Sequence, residues 1–191
     1  MTSIRTAAIA ASAALALGLG PIAAGPAVAK AMVKMVGGAA MYPSRNIVEN
    51  AVHSKDHTTL VAAVKAAGLV STLESPGPFT VFAPTNEAFK KLPAGTVQTL
   101  LKPENKDKLK EILTYHVVPG RLTTRDLREK IKDGGGKAEL KTVEGEPLTV
   151  TEKHGRIWLT DAKGDHAEIT ISNVMQSNGV IQVINKVMLP S

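Results

Sequence analysis

The chain has 191 residues, no cysteine, a single Trp, two Tyr and three Phe, and a formal net charge of +6. The missing thiols exclude a disulfide framework, thiolate zinc or iron–sulfur sites and a cysteine nucleophile. So few aromatic rings, with no basic–aromatic interleaving, leave little stacking platform for nucleic acid.

Met1 to Arg5 form a short positive start, followed by an apolar Ala-rich run from Thr6 to Gly20 and a helix-breaking stretch from Pro21 to Pro26. Ala27-Val28-Ala29 supplies the small-x-small exit that a signal peptidase needs, so residues 1–29 read as a secretory signal peptide. The run is shorter than the roughly 20 apolar residues that cross a bilayer. Cleavage would leave 162 residues with a net charge of +5, enough for one self-sufficient domain. The expected location is a bacterial periplasm or the medium beyond it.

Residues 30–45 mix Met, Gly and Pro without a period and read as a loosely packed leader. From Asn46 the pattern turns helical: Val48, Ala51 and Val52 share one face, and Leu60, Ala63, Val64 and Ala67 repeat the spacing. Asp56 is the expected cap of the second helix and Gly68 its stop. Pro76-Gly77-Pro78 then breaks the chain, and Phe79 to Pro84 alternates as a strand. Thr85 caps a short helix over NEAFKKL, and further helices are predicted over Ala94 to Leu101 and Glu104 to Thr114. Thr123 or Thr124 opens one more, ending at Asp133 before three glycines.

The last third reads as antiparallel sheet. Its candidate strands are EPLTVTE, RIWLTD, EITISNV and VIQVIN, with turns at His154-Gly155, Lys163-Gly164-Asp165 and Ser177-Asn178-Gly179. Helices first and strands last predict an α+β domain, not a doubly wound sheet. Gly179 is expected to serve a tight turn by tolerating positive φ.

Residues that could carry chemistry are few. His53 and His57 stand four apart, a spacing that can hold a metal, yet no HExxH motif surrounds them, and both read as solvated. No G-x-S-x-G elbow, P-loop or dinucleotide pattern occurs. Asp161, Asp165 and Glu168 fit no calcium-loop register and read as a polar turn. Tyr115-His116 lies where a helix meets the apolar Val117-Val118-Pro119 run. The pair is read as satisfying buried backbone groups, since a buried polar group left unpaired costs about 1–3 kcal/mol.

Three blocks together resemble the fasciclin domain family: Phe79 to Phe89 (FTVFAPTNEAF), Leu113 to Pro119 (LTYHVVP) and Asn178 to Pro190 (NGVIQVINKVMLP). They match its first conserved segment, its central Tyr-His pair and its second conserved segment, and the resemblance covers residues 46–190. Gln182 and Asn185 stand where His and Asp are common in that family, and Asn86 where Asp is frequent. The resemblance implies a β-sandwich or wedge with helices packed around it, normally exported and used in adhesion and surface interaction. Thr85, Tyr115, His116, Pro119, Asn178 and Gly179 are its motif residues, with a structural role expected. No catalytic residue, metal or cofactor is implied. Some exported members of the family are associated with carotenoids, which leaves a carrier of an apolar small molecule as the alternative.

Charge suggests where a partner would sit. Between Lys102 and Lys141 there are 11 basic against 7 acidic residues. Lys102, Lys106 and Lys110, and then Arg121, Arg125 and Arg128, are spaced to project from single helix faces. A cell-surface or matrix component, an anionic polysaccharide or a lipid headgroup, is the expected partner.

Overall fold

The computed structural model describes residues 33–191. Two three-residue strands, β1 (Lys34–Val36) and β2 (Ala39–Met41), open it as an antiparallel hairpin. Gly37 and Gly38, both at positive φ, make the two-residue turn whose twist suits a hairpin. This segment was expected to pack loosely. Instead Val36 and Met41 are buried in the core, because alternate side chains of even a three-residue strand point to one face.

Helices α1 (Ile47–Ala51), α2 (Thr58–Ala67) and α3 (Val70–Glu74) follow, then strand β3 (Phe79–Pro84) and helices α4 (Asn86–Lys90), α5 (Thr96–Leu100) and α6 (Lys106–Tyr115). Strand β4 (Val117–Pro119) and helix α7 (Thr124–Asp133) lead into β5 (Lys137–Lys141), β6 (Pro147–Lys153), β7 (Arg156–Thr160), β8 (His166–Gln176) and β9 (Gly179–Ile184). Asn46 and Thr123 each close a capping box, with Glu49 and Asp126 as reciprocal partners. Asp56 does not cap α2, since it sits inside a 3-10 turn at Lys55–His57. The acceptor comes from a distant part of the chain: Asn86 Oδ1 takes the Thr59 N–H at 3.0 Å, and Asn86 Nδ2 donates to the Lys55 carbonyl at 2.8 Å.

Seven strands form one mixed sheet in the order β4-β3-β9-β8-β7-β6-β5. Strands β5 to β8 pair antiparallel, as the alternation suggested, but β9 also runs parallel to β3, from Phe79–Gly179 to Pro84–Ile184. A parallel neighbour leaves no local turn signal, so alternation alone does not disclose it. The Val143 N–H donates to the Val117 carbonyl at 2.7 Å, linking the chain just after β5 to the opposite edge strand β4. The sheet therefore curls towards closure as a wedge.

Its two faces bury separate cores. Val81, Ala83, Val117, Ile181 and Val183 join α1, α2, α3 and α6 through Ile47, Leu60, Val64, Leu73, Leu109 and Leu113. Phe82, Val118 and Ile184 point the other way, into Leu127 and Ile131 of α7 and into Leu148, Val150 and Leu159 of the sheet. Adjacent strand residues thus feed opposite cores, as the two-residue period requires. No helix among the described residues is long and apolar enough to cross a membrane.

Candidate functional site

Tyr115 and His116 end α6 and point to opposite partners. Tyr115 is fully buried; its hydroxyl donates to the Pro147 carbonyl at 3.0 Å and accepts the Ala162 N–H at 3.1 Å. Burial pushes that phenol up to about 12. His116 is 2 % exposed, with Nδ1 2.8 Å from the Ile112 carbonyl and Nε2 3.0 Å from the Met188 nitrogen. A carbonyl can only accept and an N–H can only donate, so Nδ1 carries the proton and Nε2 accepts from Met188. Burial lowers the His116 pKa to about 4, with the Ile112 carbonyl and Asp161 pulling weakly upward. Both rings are occupied by backbone groups, which leaves neither a free base.

Asn178 works as a clamp at the start of β9. Its Oδ1 accepts the Ile47 N–H at 3.0 Å, and its Nδ2 donates to the Leu73 carbonyl at 2.7 Å and the Ser75 carbonyl at 2.9 Å. Gly179 is needed for a different reason from the expected one. It does not adopt positive φ; instead a Cβ there would stand 2.1 Å from the Phe79 carbonyl oxygen. Close approach of two parallel backbones is what excludes a side chain. Thr85 accepts the Ala88 N–H at 3.2 Å as cap of α4, and Pro119 pairs with Phe79 at the exposed end of β4. Gln182 and Asn185 take up backbone groups: Gln182 donates to the Leu122 carbonyl at 2.9 Å, and Asn185 accepts the Glu168 N–H at 2.9 Å.

The six basic residues do not form one face. Lys102 precedes α6 and lies 3.8 Å from Glu104. Arg121 lies before α7, and its guanidinium donates to the Gln176 and Ser177 carbonyls, both at 3.1 Å. Arg125 pairs with Asp126 and Glu129, and Arg128 with Glu152. Helices α6 and α7 also pack on opposite faces of the sheet, so sequence proximity does not bring their charges together. Lys106 and Lys110 are exposed on α6 and make no ion pair among the described residues.

His57 departs most from expectation. It is 3 % exposed, not solvated, and its Nδ1 lies 2.9 Å from Ser54 Oγ, while Nε2 has no hydrogen-bond partner. Burial lowers its pKa. With His53 on the surface, the two rings do not converge, and no group of three metal-ligating side chains gathers among the described residues. His57 lines a cavity of about 80 Å³ between α1, α2, α3 and β3, walled by Ile47, Leu60, Val64, Leu73 and Val81. Periodicity could not have found it, because its walls come from elements far apart in the chain.

The Fasciclin domain family matches residues 55–190. The chain belongs to the fasciclin domain family. A Synechocystis protein, sll1483, is 44% identical over 189 residues, covering 99% of this chain and 98% of its own. The pig transforming growth factor-beta-induced protein ig-h3 is 40% identical over 131 residues, but this fasciclin chain spans only 17% of its length. A solved FAS1 domain pair from the insect cell adhesion molecule fasciclin I superposes with a TM-score of 0.69 at 19% identity, over 76% of this chain and 51% of that one. That likeness shows the fold: an α+β fasciclin wedge.

Proposed function

We propose that this fasciclin domain is an exported surface-interaction module that holds an acidic polysaccharide through α6. The observation that supports it is the pair Lys106 and Lys110, exposed one turn apart and without carboxylate partners among the described residues. The other candidate cations are neutralised by Glu104, Asp126, Glu129 and Glu152 or committed to backbone carbonyls. An exposed ammonium pair attracts polyanions with a reach of about 8–10 Å near physiological salt. The insect molecule that shares this fold, fasciclin I, is a cell adhesion molecule, a role consistent with such contact.

The test is binding of the full chain to polygalacturonate across a salt series. Wild type should bind at low salt and release as salt rises, and Lys106→Glu/Lys110→Glu should bind at least about fivefold more weakly. Arg125→Glu should bind as wild type does. Binding that ignores salt, or is equal in the double variant, overturns the reading. Export is tested separately by intact mass of the secreted protein, expected to begin at Lys30; the signal segment itself lies outside the described residues.

A second reading, a carrier for an apolar small molecule, is supported by the cavity that His57 lines.

A further inference from the structure

We propose that the outward face of the β1–β2 hairpin is a membrane-surface contact, which seats Met35 and Tyr42 among the headgroups of an anionic bilayer. This contact is separate from α6 and its two lysines. Its origin is a hairpin that is apolar on both sides.

Register fixes the two faces. Lys34 pairs with Met41, Met35 with Ala40 and Val36 with Ala39. Val36 and Met41 point into the core, and from their side of the hairpin the Lys34 ammonium donates to the Ser172 carbonyl. Alternation turns Met35 and Ala40 outward, and one step further along each strand it turns Val33 and Tyr42 with them. Met35 is 59 % exposed, Val33 45 % and Tyr42 43 %. An antiparallel ribbon with one solvated face ordinarily carries polar residues there, and this face carries none. Val52, 44 % exposed at the end of α1, adds a fourth apolar side chain, in a hollow that it shares with Arg45.

Size and charge select the bilayer as occupant. Four side chains exposed by 43–59 % fall well short of the roughly 800 Å² per partner that a stable protein interface buries. A bilayer needs no such area, because a few apolar side chains at the headgroup boundary add to electrostatic attraction. Cations flank the face at both ends. The Arg45 guanidinium lies over the Tyr42 ring, 4.9 Å from its centroid, and the Lys55 N–H donates to the Gly37 carbonyl in the hairpin turn. Both residues are exposed, and neither makes an ion pair among the described residues. Glu49, in the same hollow as Arg45, is engaged by the Asn46 N–H at 2.7 Å. Residues 30–57 carry Lys30, Lys34, Arg45 and Lys55 against Glu49 and Asp56. A second copy would set like charges against each other, whereas anionic headgroups complement them. A tyrosine ring under an arginine suits a boundary that is apolar on one side and wet on the other. Cleavage after Ala29 would leave Val33 three residues from the new amino terminus, so this face is beside the bilayer when the signal is removed.

The experiment is flotation of the exported chain with vesicles of phosphatidylcholine alone and of an equal mixture with phosphatidylglycerol. The mixed vesicles should bind about tenfold more tightly than the neutral ones. A spin label on the lipid acyl chain should broaden the Met35 methyl signal and spare that of buried Met188. Met35→Ser/Tyr42→Ser should bind the mixed vesicles about tenfold more weakly, while melting and binding polygalacturonate as wild type does. Lys106→Glu/Lys110→Glu should float with the vesicles as wild type does, so failure of the α6 reading leaves this contact standing. Equal binding to both vesicle types, an unbroadened Met35 methyl, or a Met35→Ser/Tyr42→Ser variant that floats as wild type does overturns the proposal. If vesicle binding is lost with Lys106 and Lys110 instead, α6 is the attachment and this face is not. If sedimentation velocity reveals a dimer that Met35→Ser/Tyr42→Ser abolishes, a second copy is the occupant and the bilayer is excluded.

Discussion

His116 Nε2 accepts the backbone N–H of Met188 at 3.0 Å, although 72 residues separate them in the chain. Through Nδ1 the same ring holds the last turn of α6, so one imidazole ties a helix end to the segment after β9. Replacing it by Ala should leave the Met188 N–H unpaired and open a cavity. We expect a loss of about 3 kcal/mol in urea unfolding. His116→Ala melting like wild type would show that the bridge contributes nothing.

The same ring predicts an acid weakness. His116 is neutral in the fold, with its pKa lowered from 6.5 to about 4, whereas the unfolded chain takes up a proton near 6.5. Between those values the unfolded state binds more protons, so stability falls as pH drops from about 6.5 towards 4 and levels off below. At about 1.4 kcal/mol per pKa unit the loss approaches about 3 kcal/mol. His57, also lowered by burial, acts in the same direction. Denaturant midpoints measured at pH 7, 5.5 and 4 check this, and a His116→Gln variant should flatten the slope.

Asn178→Ala should be more damaging than its size suggests. Three backbone groups, at Ile47, Leu73 and Ser75, lose their partner together, and two of them belong to separate helices. A loss of about 3 kcal/mol is expected, with hydrogen exchange rising first in α1 and α3. Uniform exchange across the chain would argue against a local clamp.

Gly179→Ala should force β3 and β9 apart, because the new methyl carbon would meet the Phe79 carbonyl oxygen at 2.1 Å. Backbone, unlike a side-chain tip, cannot swing aside. The expected cost is about 3 kcal/mol or more, read as a lowered Tm and faster exchange at Val81 and Ile181. An unchanged Tm would mean the strands separate freely.

Local chemistry in the chain foretold much of this. Thr123, Thr85 and the alternation of residues 147–184 announce their elements because caps and strand faces are properties of neighbouring residues. Asn86 and Asn178 show the limit. Each supplies hydrogen bonds to a helix start far away in sequence, so Asp56 looked like the cap that Asn86 provides. At Gly179 the local sequence suggests a turn angle, whereas the reason for glycine is a strand lying a hundred positions earlier. The cavity is the furthest from view, since His57 sits on a helical stretch whose spacing says nothing about the wall opposite.

The parallel pairing of β3 with β9 carries a consequence for biosynthesis. Strand β9 lies between β3 and β8, so an interior strand of the sheet, the stretch from residue 179 to residue 184, is made after every other strand. A nascent chain can form α2 or the β6–β7 hairpin early, but it has no strand to set between β3 and β8 until that stretch emerges. Long-range pairing of this kind slows folding because the intervening loop must close first. A chain stopped before residue 179 therefore lacks the strand that joins β3 to β8, and each of those two strands is left with an open edge.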